Sequence, residues 1–515
     1  MATTLDVVVV GAGVSGLSCA RELYRRSPDV KLVVLEASGR VGGRTFADAD
    51  GTDLGAGYIG PGQNHIMAIV DELGLTLTKV YTAGKSTQWI KGRSSHYSGL
   101  VPPISMIGTI DLNSAMQAVD RLVKSVDTDD PTQTPNAVAL DRETVREAIT
   151  RLCWTAEARD IMFTAVACCC AVDPSEMSFL GLLWYIRQNG GTRRIFETEN
   201  GAQDSKVVGG YGIVAPMMAA RLPAGTVRLN KPVRTIDSRD ATTVTVTCSD
   251  GERFVARTVV LAIAPVQQLR IEYHPALPPA KLQALQQFKM GNTIKTFAYY
   301  DAPFWRELGL NGSAVCDTGI VAVSMDDTKP DGTLPCIMGF ALSDQVATVD
   351  AMPDAELARS LGAHYAALFG DARGHCVRRV KRSRWASETW IGGALATWSP
   401  VCLTTHYKAM TASLAEGRIL IAGTETARRN PGYVDGAVEA GERAGRNALV
   451  QIGKLPSSAR DAVDIPCESV QMPFVPLEWT PLERWLPSLS SFIVGAGATM
   501  AGVAAVLALR HSSRR

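Results

Sequence analysis

Three glycines are the first residues whose types and spacing could do chemistry. Gly11, Gly13 and Gly16 form a G-x-G-x-x-G run immediately after the apolar stretch LDVVVV at 5–10. The first glycine permits a tight turn, the second lets backbone approach a pyrophosphate, and the third allows a helix to pack closely on a strand. A helix opening there turns unpaired N–H groups and the positive end of its dipole toward an anion. Glu36 lies twenty residues beyond Gly16, at the end of a second apolar run, where a carboxylate binds both hydroxyls of a ribose. The motif alone is weak; with Glu36 it specifies a dinucleotide. Ala-Ser-Gly-Arg-Val-Gly-Gly-Arg-Thr follows Glu36, so Arg40, Gly43 and Arg44 bring more N–H groups and positive charge to the same diphosphate. Nicotinamide-binding folds do not ordinarily carry this extension.

Such residues need a strand-turn-helix-strand frame. The run at 5–10, an amphipathic stretch ending at Arg26 and the run at 31–35 supply one, the unit from which parallel sheets are built. From about 80 to 205 the pattern is helical and mixed, with a polar loop at 128–136. Residues 227–262 alternate like strands and end in another buried run, while 293–300 and 336–342 read as strands of a second sheet. One more buried strand at 419–423 leads through TETA to a helix near 437–452, and no internal repeat is visible. The expected fold class is α/β: a Rossmann-type dinucleotide domain, an inserted α+β substrate domain and a C-terminal transmembrane helix. The expected dinucleotide domain is discontinuous (1–80, 205–290 and 390–453), with the substrate domain at 81–204 and 291–389 and a C-terminal extension at 454–485.

Composition excludes other classes. The chain has 515 residues and a net charge of +1, from 52 basic and 51 acidic side chains, so no field favours nucleic acid. Hydrophobic content of 46% against 20% charged describes a folded chain. Eleven scattered cysteines without a CxxC pair, and seven unclustered histidines, give neither a disulfide framework nor a metal centre. The apolar N-terminus lacks a basic flank and a cleavage site, so it reads as a strand rather than a signal peptide. The C-terminus differs: residues 486–509 carry no charge and are followed by Arg510, His511, Arg514 and Arg515. As a helix they would extend about 36 Å, enough for a hydrocarbon core of about 30 Å. The expectation is a tail anchor in a lipid bilayer, with the bulk of the chain facing the cytosol. Moderate hydrophobicity and a basic tip point by analogy to the mitochondrial outer membrane.

The extension after Glu36 resembles that of the FAD-binding flavin amine oxidase superfamily, and the chain is most similar to monoamine oxidases. The matching segments are DLGAGYIGPGQN (53–64), LCWT (152–155), LLWYIRQNGGTRRI (182–195), VVGGYG (207–212), DDTKPDG (326–332), AGTETA (422–427) and GYVDGAVEAGERA (432–444). The resemblance implies FAD, with Thr424, Glu425 and Val434 near the flavin and Val233 near the adenine. It implies removal of two electrons from an amine's α-carbon, hydrolysis of the imine to an aldehyde and reduction of O2 to hydrogen peroxide. Lys295 matches the family's lysine that holds a water against flavin N5. Tyr433 matches one tyrosine of the cage flanking the amine. Tyr58, Cys168, Cys169, Phe196, Gln203 and Phe340 match cavity positions, Phe196 at a gate. A homodimer is implied by resemblance alone.

The departures are as specific as the matches. Ala394, in the segment Gly392-Gly393-Ala394-Leu395-Ala396-Thr397, stands where the family's cysteine is joined to flavin, so FAD is expected to be noncovalent. Cys402, eight residues on, is the nearest alternative thiol. Leu395 replaces the second cage tyrosine and Val323 another family tyrosine, which widens the expected cavity and removes quadrupole contacts for a cation. The expected function is FAD-dependent oxidation of primary or secondary amines. Alternatives are a polyamine-type oxidase with altered range, or a catalytically impaired flavoprotein acting as a scaffold at the membrane. A tetrapyrrole or carotenoid oxidase is disfavoured by Lys295 and the GYVDGAVEAGER match.

Overall fold

The structure is a computed structural model describing residues 4–99 and 101–462, together with 472, 474, 475, 477–479 and 484. Its organising strand is Leu5–Val10. Val7 and Val9 join one apolar cluster and Val8 and Val10 another, so both faces are buried, as a continuous β-branched run requires. The strand pairs in parallel with Leu32–Leu35 on one side and Arg253–Leu261 on the other. Besides Leu5–Val10, Arg253–Leu261 serves two further neighbours. Its first four residues run antiparallel to Val244–Cys248, and its last three run parallel to Ile419–Ile421.

Helix Val14–Arg26 returns over one face of this sheet, and helix Val434–Gln451 packs beside it. Their approach depends on a glycine: a Cβ at Gly441 would stand 2.1 Å from the Ser15 carbonyl oxygen. The last long helix among the described residues is thus seated on the first.

A second sheet has seven strands, in the order Arg379–Arg382, Ile294–Tyr299, Cys336–Ala341, Val323–Asp326, Leu310–Cys316, Lys85–Ile90 and Arg93–Tyr97. The strands expected at 293–300 and 336–342 are its antiparallel neighbours, with Lys295 opposite Phe340. Phe340 is in turn opposite Val323, so the three lie in one row across the sheet. Helices Met106–Lys124, Ala156–Cys170 and Phe179–Gln188 form a further layer around Phe179, Leu183 and Trp184. Near the C-terminal end of Ala156–Cys170, Ala167 and Cys168 pack against Ala322, Val323, Phe340 and Leu342. That contact seats the helical layer on the row containing Lys295.

No helix among the described residues is long and apolar enough to cross a membrane. The span expected at 486–509 lies outside the described residues.

Candidate active site

The glycine-rich turn has the geometry its sequence requires. Gly11 has φ of +100°, and a Cβ there would stand 2.7 Å from the Ala262 carbonyl oxygen. A Cβ at Gly16 would fall 1.9 Å from the Gly11 carbonyl oxygen, so the helix could not approach the turn with any larger residue. Gly13 bridges Gly42 in parallel, and the Gly42 N–H donates to the Ala12 carbonyl at 2.9 Å. The turn and the extension after Glu36 therefore form one loop system.

Glu36 is 8% exposed and pins that system. Its carboxylate accepts from the Ala12 N–H at 2.8 Å, the Ser38 N–H at 2.9 Å and the Ser38 hydroxyl at 2.8 Å. Arg40 donates to the Gly43 carbonyl at 2.9 Å and lies over the ring of Phe46. Arg44 donates to Glu425 Oε1 at 2.6 Å and to the Ala394 carbonyl at 3.3 Å. Glu425 Oε2 is buried and has no hydrogen-bond partner among the described residues. Clustered N–H groups, two guanidinium groups and that buried carboxylate oxygen, beside the open face of Gly13, where a Cβ would meet nothing nearer than 4.0 Å, fit a bound dinucleotide.

The other half of the site is aromatic and apolar. Lys295 Nζ donates to the Gly55 carbonyl at 2.5 Å and the Asp53 carbonyl at 3.3 Å, and faces the rings of Tyr58 and Phe340. Burial strips water from the ammonium form and pushes Lys295 down to about 8. Tyr433 is held at its carbonyl by the Thr424 hydroxyl at 2.7 Å. Its ring stacks on Tyr185 at 5.9 Å, and the Tyr185 hydroxyl donates to the Tyr433 hydroxyl at 2.9 Å. Burial raises both phenols, so they stay protonated at neutral pH.

One cavity of about 410 Å³ joins the two halves. It is lined by Gly11, Gly13, Glu36, Arg40, Gly43, Arg44, Val233, Ala394, Thr424, Glu425 and Val434 from the expected cofactor set. Lys295, Tyr433, Tyr58, Cys168, Cys169, Phe340 and Leu395 line it as well. Four expected residues are elsewhere. Gly16 lies behind the turn, where its role is packing. Val323 supports Phe340 and Cys168 from the next strand position. Phe196 packs against the helical core, and Gln203 donates to the Ile195 carbonyl at 3.3 Å. Three residues outside the expected set also belong to the site: Trp385 lines the cavity, Tyr185 stacks on Tyr433 and the Asp53 carbonyl receives Lys295. Tyr185 and Asp53 sit inside two quoted segments, and Trp385 shortly before the Gly392-Gly393 pair. Neither lining thiol is activated: burial pushes Cys168 up to about 12 and raises Cys169 well above its ordinary value.

Comparison with known proteins agrees over almost the whole chain. The family model for flavin-containing amine oxidoreductases matches residues 14–449. Flavin-containing amine oxidase B of Bos taurus is 35% identical over 507 residues, covering 97% of this chain and 96% of that protein. Flavin-containing amine oxidase A of Canis lupus familiaris is 35% identical over 501 residues, covering 96% and 94%. Among solved structures, putrescine oxidase bound to putrescine superposes with a TM-score of 0.82 at 27% identity, covering 87% of this chain and 99% of that one. Cyclohexylamine oxidase from Brevibacterium oxydans gives 0.81 at the same identity and coverage. With this fold and this cavity, the chain belongs to the flavin-containing amine oxidoreductase family and is an FAD-dependent amine oxidase.

Proposed function

We propose that the protein oxidises primary or secondary amines with noncovalently held FAD, and that Lys295 and Tyr433 are its catalytic residues. The observation carrying this reading is the single cavity that joins the dinucleotide loop to Lys295 and Tyr433. FAD, when bound, supplies the two-electron chemistry: it accepts electrons from the amine's α-carbon and returns them to dioxygen. The N–H groups around Gly11, Gly13 and Gly43, with Arg40 and Arg44, would hold its diphosphate. Glu36 would hold the ribose, Val233 the adenine, and Thr424, Glu425 and Val434 the flavin end. Lys295 would hold a water at Nζ, and Tyr433 would flank the amine. Tyr58, Phe340, Cys168, Cys169 and Leu395 would exclude bulk water. The desolvation that lowers Lys295 also favours a neutral substrate amine, the form that reacts.

Ala394 lines the cavity with a methyl group, which cannot form a thioether. Cys402 packs with the helical core. An alanine-to-cysteine change is among those made to redesign cofactor binding in putrescine oxidase, in keeping with an alanine marking noncovalent flavin. Acid precipitation of the holoprotein is expected to leave yellow flavin in the supernatant; a yellow pellet would refute noncovalent attachment. With Leu395 in place of an aromatic in the cavity wall, aliphatic amines are the first to try, as the putrescine and cyclohexylamine oxidase neighbours suggest. The deciding experiment is anaerobic mixing of FAD-loaded protein with aryl, alkyl and polyamine substrates. Loss of the oxidised flavin absorbance with at least one is expected. If none bleaches it, the scaffold reading takes its place.

Tyr185 positions Tyr433 in this reading. Tyr185→Phe removes a neutral hydrogen bond of about 0.5–1.5 kcal/mol, so kcat/KM for amines should fall about 2- to 10-fold with flavin loading unchanged. Residues 1–80, 205–290 and 390–453 would form the FAD domain, and 81–204 with 291–389 the substrate domain. Residues 486–509 would anchor a homodimer in the mitochondrial outer membrane, facing the cytosol. A chain ending at residue 485 should then leave the membrane fraction.

A further inference from the structure

Behind Lys295 lies a buried charge group that the reaction above does not use. Asp53 is 2% exposed. Its Oδ1 accepts from the Gly212 N–H at 3.2 Å, while its Oδ2 is buried with no hydrogen-bond partner among the described residues. Only Gly57 separates this carboxylate from the lysine: a Cβ there would stand 3.5 Å from Lys295 Nζ and 3.6 Å from Asp53 Oδ2. The other groups facing Lys295 are already satisfied or neutral. Lys206, on strand Ser205–Val207, is ion-paired with Asp327, which follows strand Val323–Asp326. Tyr58 offers its ring, Phe340 is apolar, and the Cys168 thiol is held protonated by burial. Asp53 alone in this group is an acid without an ion pair among the described residues.

We propose that Asp53 is a positioning residue for Lys295: its carboxylate, across Gly57, supplies the counter-charge that governs when the lysine carries a proton, while its own carbonyl and that of Gly55 hold the lysine head. The proposal rests on the catalytic reading of Lys295. Its electrostatics have a definite sign. Burial and the like charge of Lys206 both push Lys295 down, and Asp53 opposes them. Burial in turn raises the Asp53 carboxyl, while the two lysines pull it back. Asp327 opposes them too, but less strongly, so removing the Asp53 carboxylate takes away the larger of the two raising charges and Lys295 falls further.

The test uses the FAD-loaded full chain and the fastest amine of the panel. Flavin reduction and its reoxidation by dioxygen are followed from about pH 6 to about pH 10, and Lys295→Met identifies the limb that belongs to the lysine. Asp53→Asn should move that limb about one pH unit lower, whereas Asp53→Glu should leave it near its wild-type position. Asp53→Ser, smaller and equally neutral, gives the same reading if the asparagine variant does not load flavin. A limb that Lys295→Met removes and Asp53→Asn leaves in place overturns the proposal alone. If Lys295→Met alters no limb, the catalytic reading of the lysine fails and the proposal with it. Loss of flavin from both neutral variants also overturns it, because the aspartate then serves only the fold.

Discussion

Lys295→Met is expected to slow amine-dependent flavin turnover by about 100-fold or more while FAD stays bound, the range in which positioned acid–base groups act. Methionine keeps the length and most of the volume of the lysine stem, so strand Ile294–Tyr299 and its pairing with Cys336–Ala341 should persist. What disappears is Nζ, with its bonds to the Gly55 and Asp53 carbonyls. The pH dependence separates this loss from a packing defect. An exposed lysine loses its proton near pH 10.4, whereas Lys295 does so at about 8. A limb near pH 8 should therefore be present in the wild type and absent from the variant, as stopped-flow traces would show. The sign of the stability effect is also set. A lysine whose folded value lies below its unfolded value opposes folding below the unfolded value; the penalty grows as pH falls from about 10.4 and is fully present below about 8. At pH 7 Lys295→Met should thus melt no lower than the wild type. A large fall in Tm would mean that the activity loss reports unfolding.

Glu36→Ala should weaken FAD binding about 100-fold. Hydrogen bonds to a charged acceptor contribute about 1.5–3 kcal/mol each, so losing two ribose bonds removes about 3 kcal/mol or more, and 1.4 kcal/mol is tenfold. The carboxylate also ties Ala12 to Ser38, so its loss loosens the loop that must receive the diphosphate. Titration of apoprotein with FAD, followed by flavin fluorescence, gives the affinity directly. Glu36→Gln, which keeps an acceptor but not the charge, should fall between. An alanine variant that binds FAD as tightly as the wild type would remove the ribose assignment.

These two residues show how unevenly the site can be read from sequence. Glu36 belongs to a local pattern: the turn, the helix and the second strand lie within some thirty residues, and their hydrophobic runs fix both the strand ends and the carboxylate's place. The α/β fold and the strands near Lys295 follow from the same periodicities. Lys295 is different, since its carbonyl partners lie 240 and 242 residues earlier in the chain, and no spacing rule reaches that far. Family likeness assigns positions to the cavity without giving each side chain its direction. Val323 and Phe340 are cross-strand partners, yet only Phe340 reaches the cavity surface. Gln203 turns back to a helix carbonyl. The Tyr185–Tyr433 stack and the opposition of Asp53 and Lys295 across Gly57 are tertiary pairings, visible only once the sheets are assembled.

The seating of helix Val434–Gln451 on helix Val14–Arg26 has a consequence for how the protein is made. Gly441 lies against the Ser15 carbonyl, and the Gly423 N–H donates to the Ser15 hydroxyl at 3.0 Å. The turn that begins the chain is therefore closed by residues that leave the ribosome hundreds of residues later. Domains of nascent chains generally fold as units, N-terminal first. Here strand Leu5–Val10 and its turn must wait, their apolar faces uncovered, until helix Val434–Gln451 emerges. Flavin capture would then await helix Val434–Gln451, and a chain terminated before residue 434 should emerge colourless and dependent on chaperones.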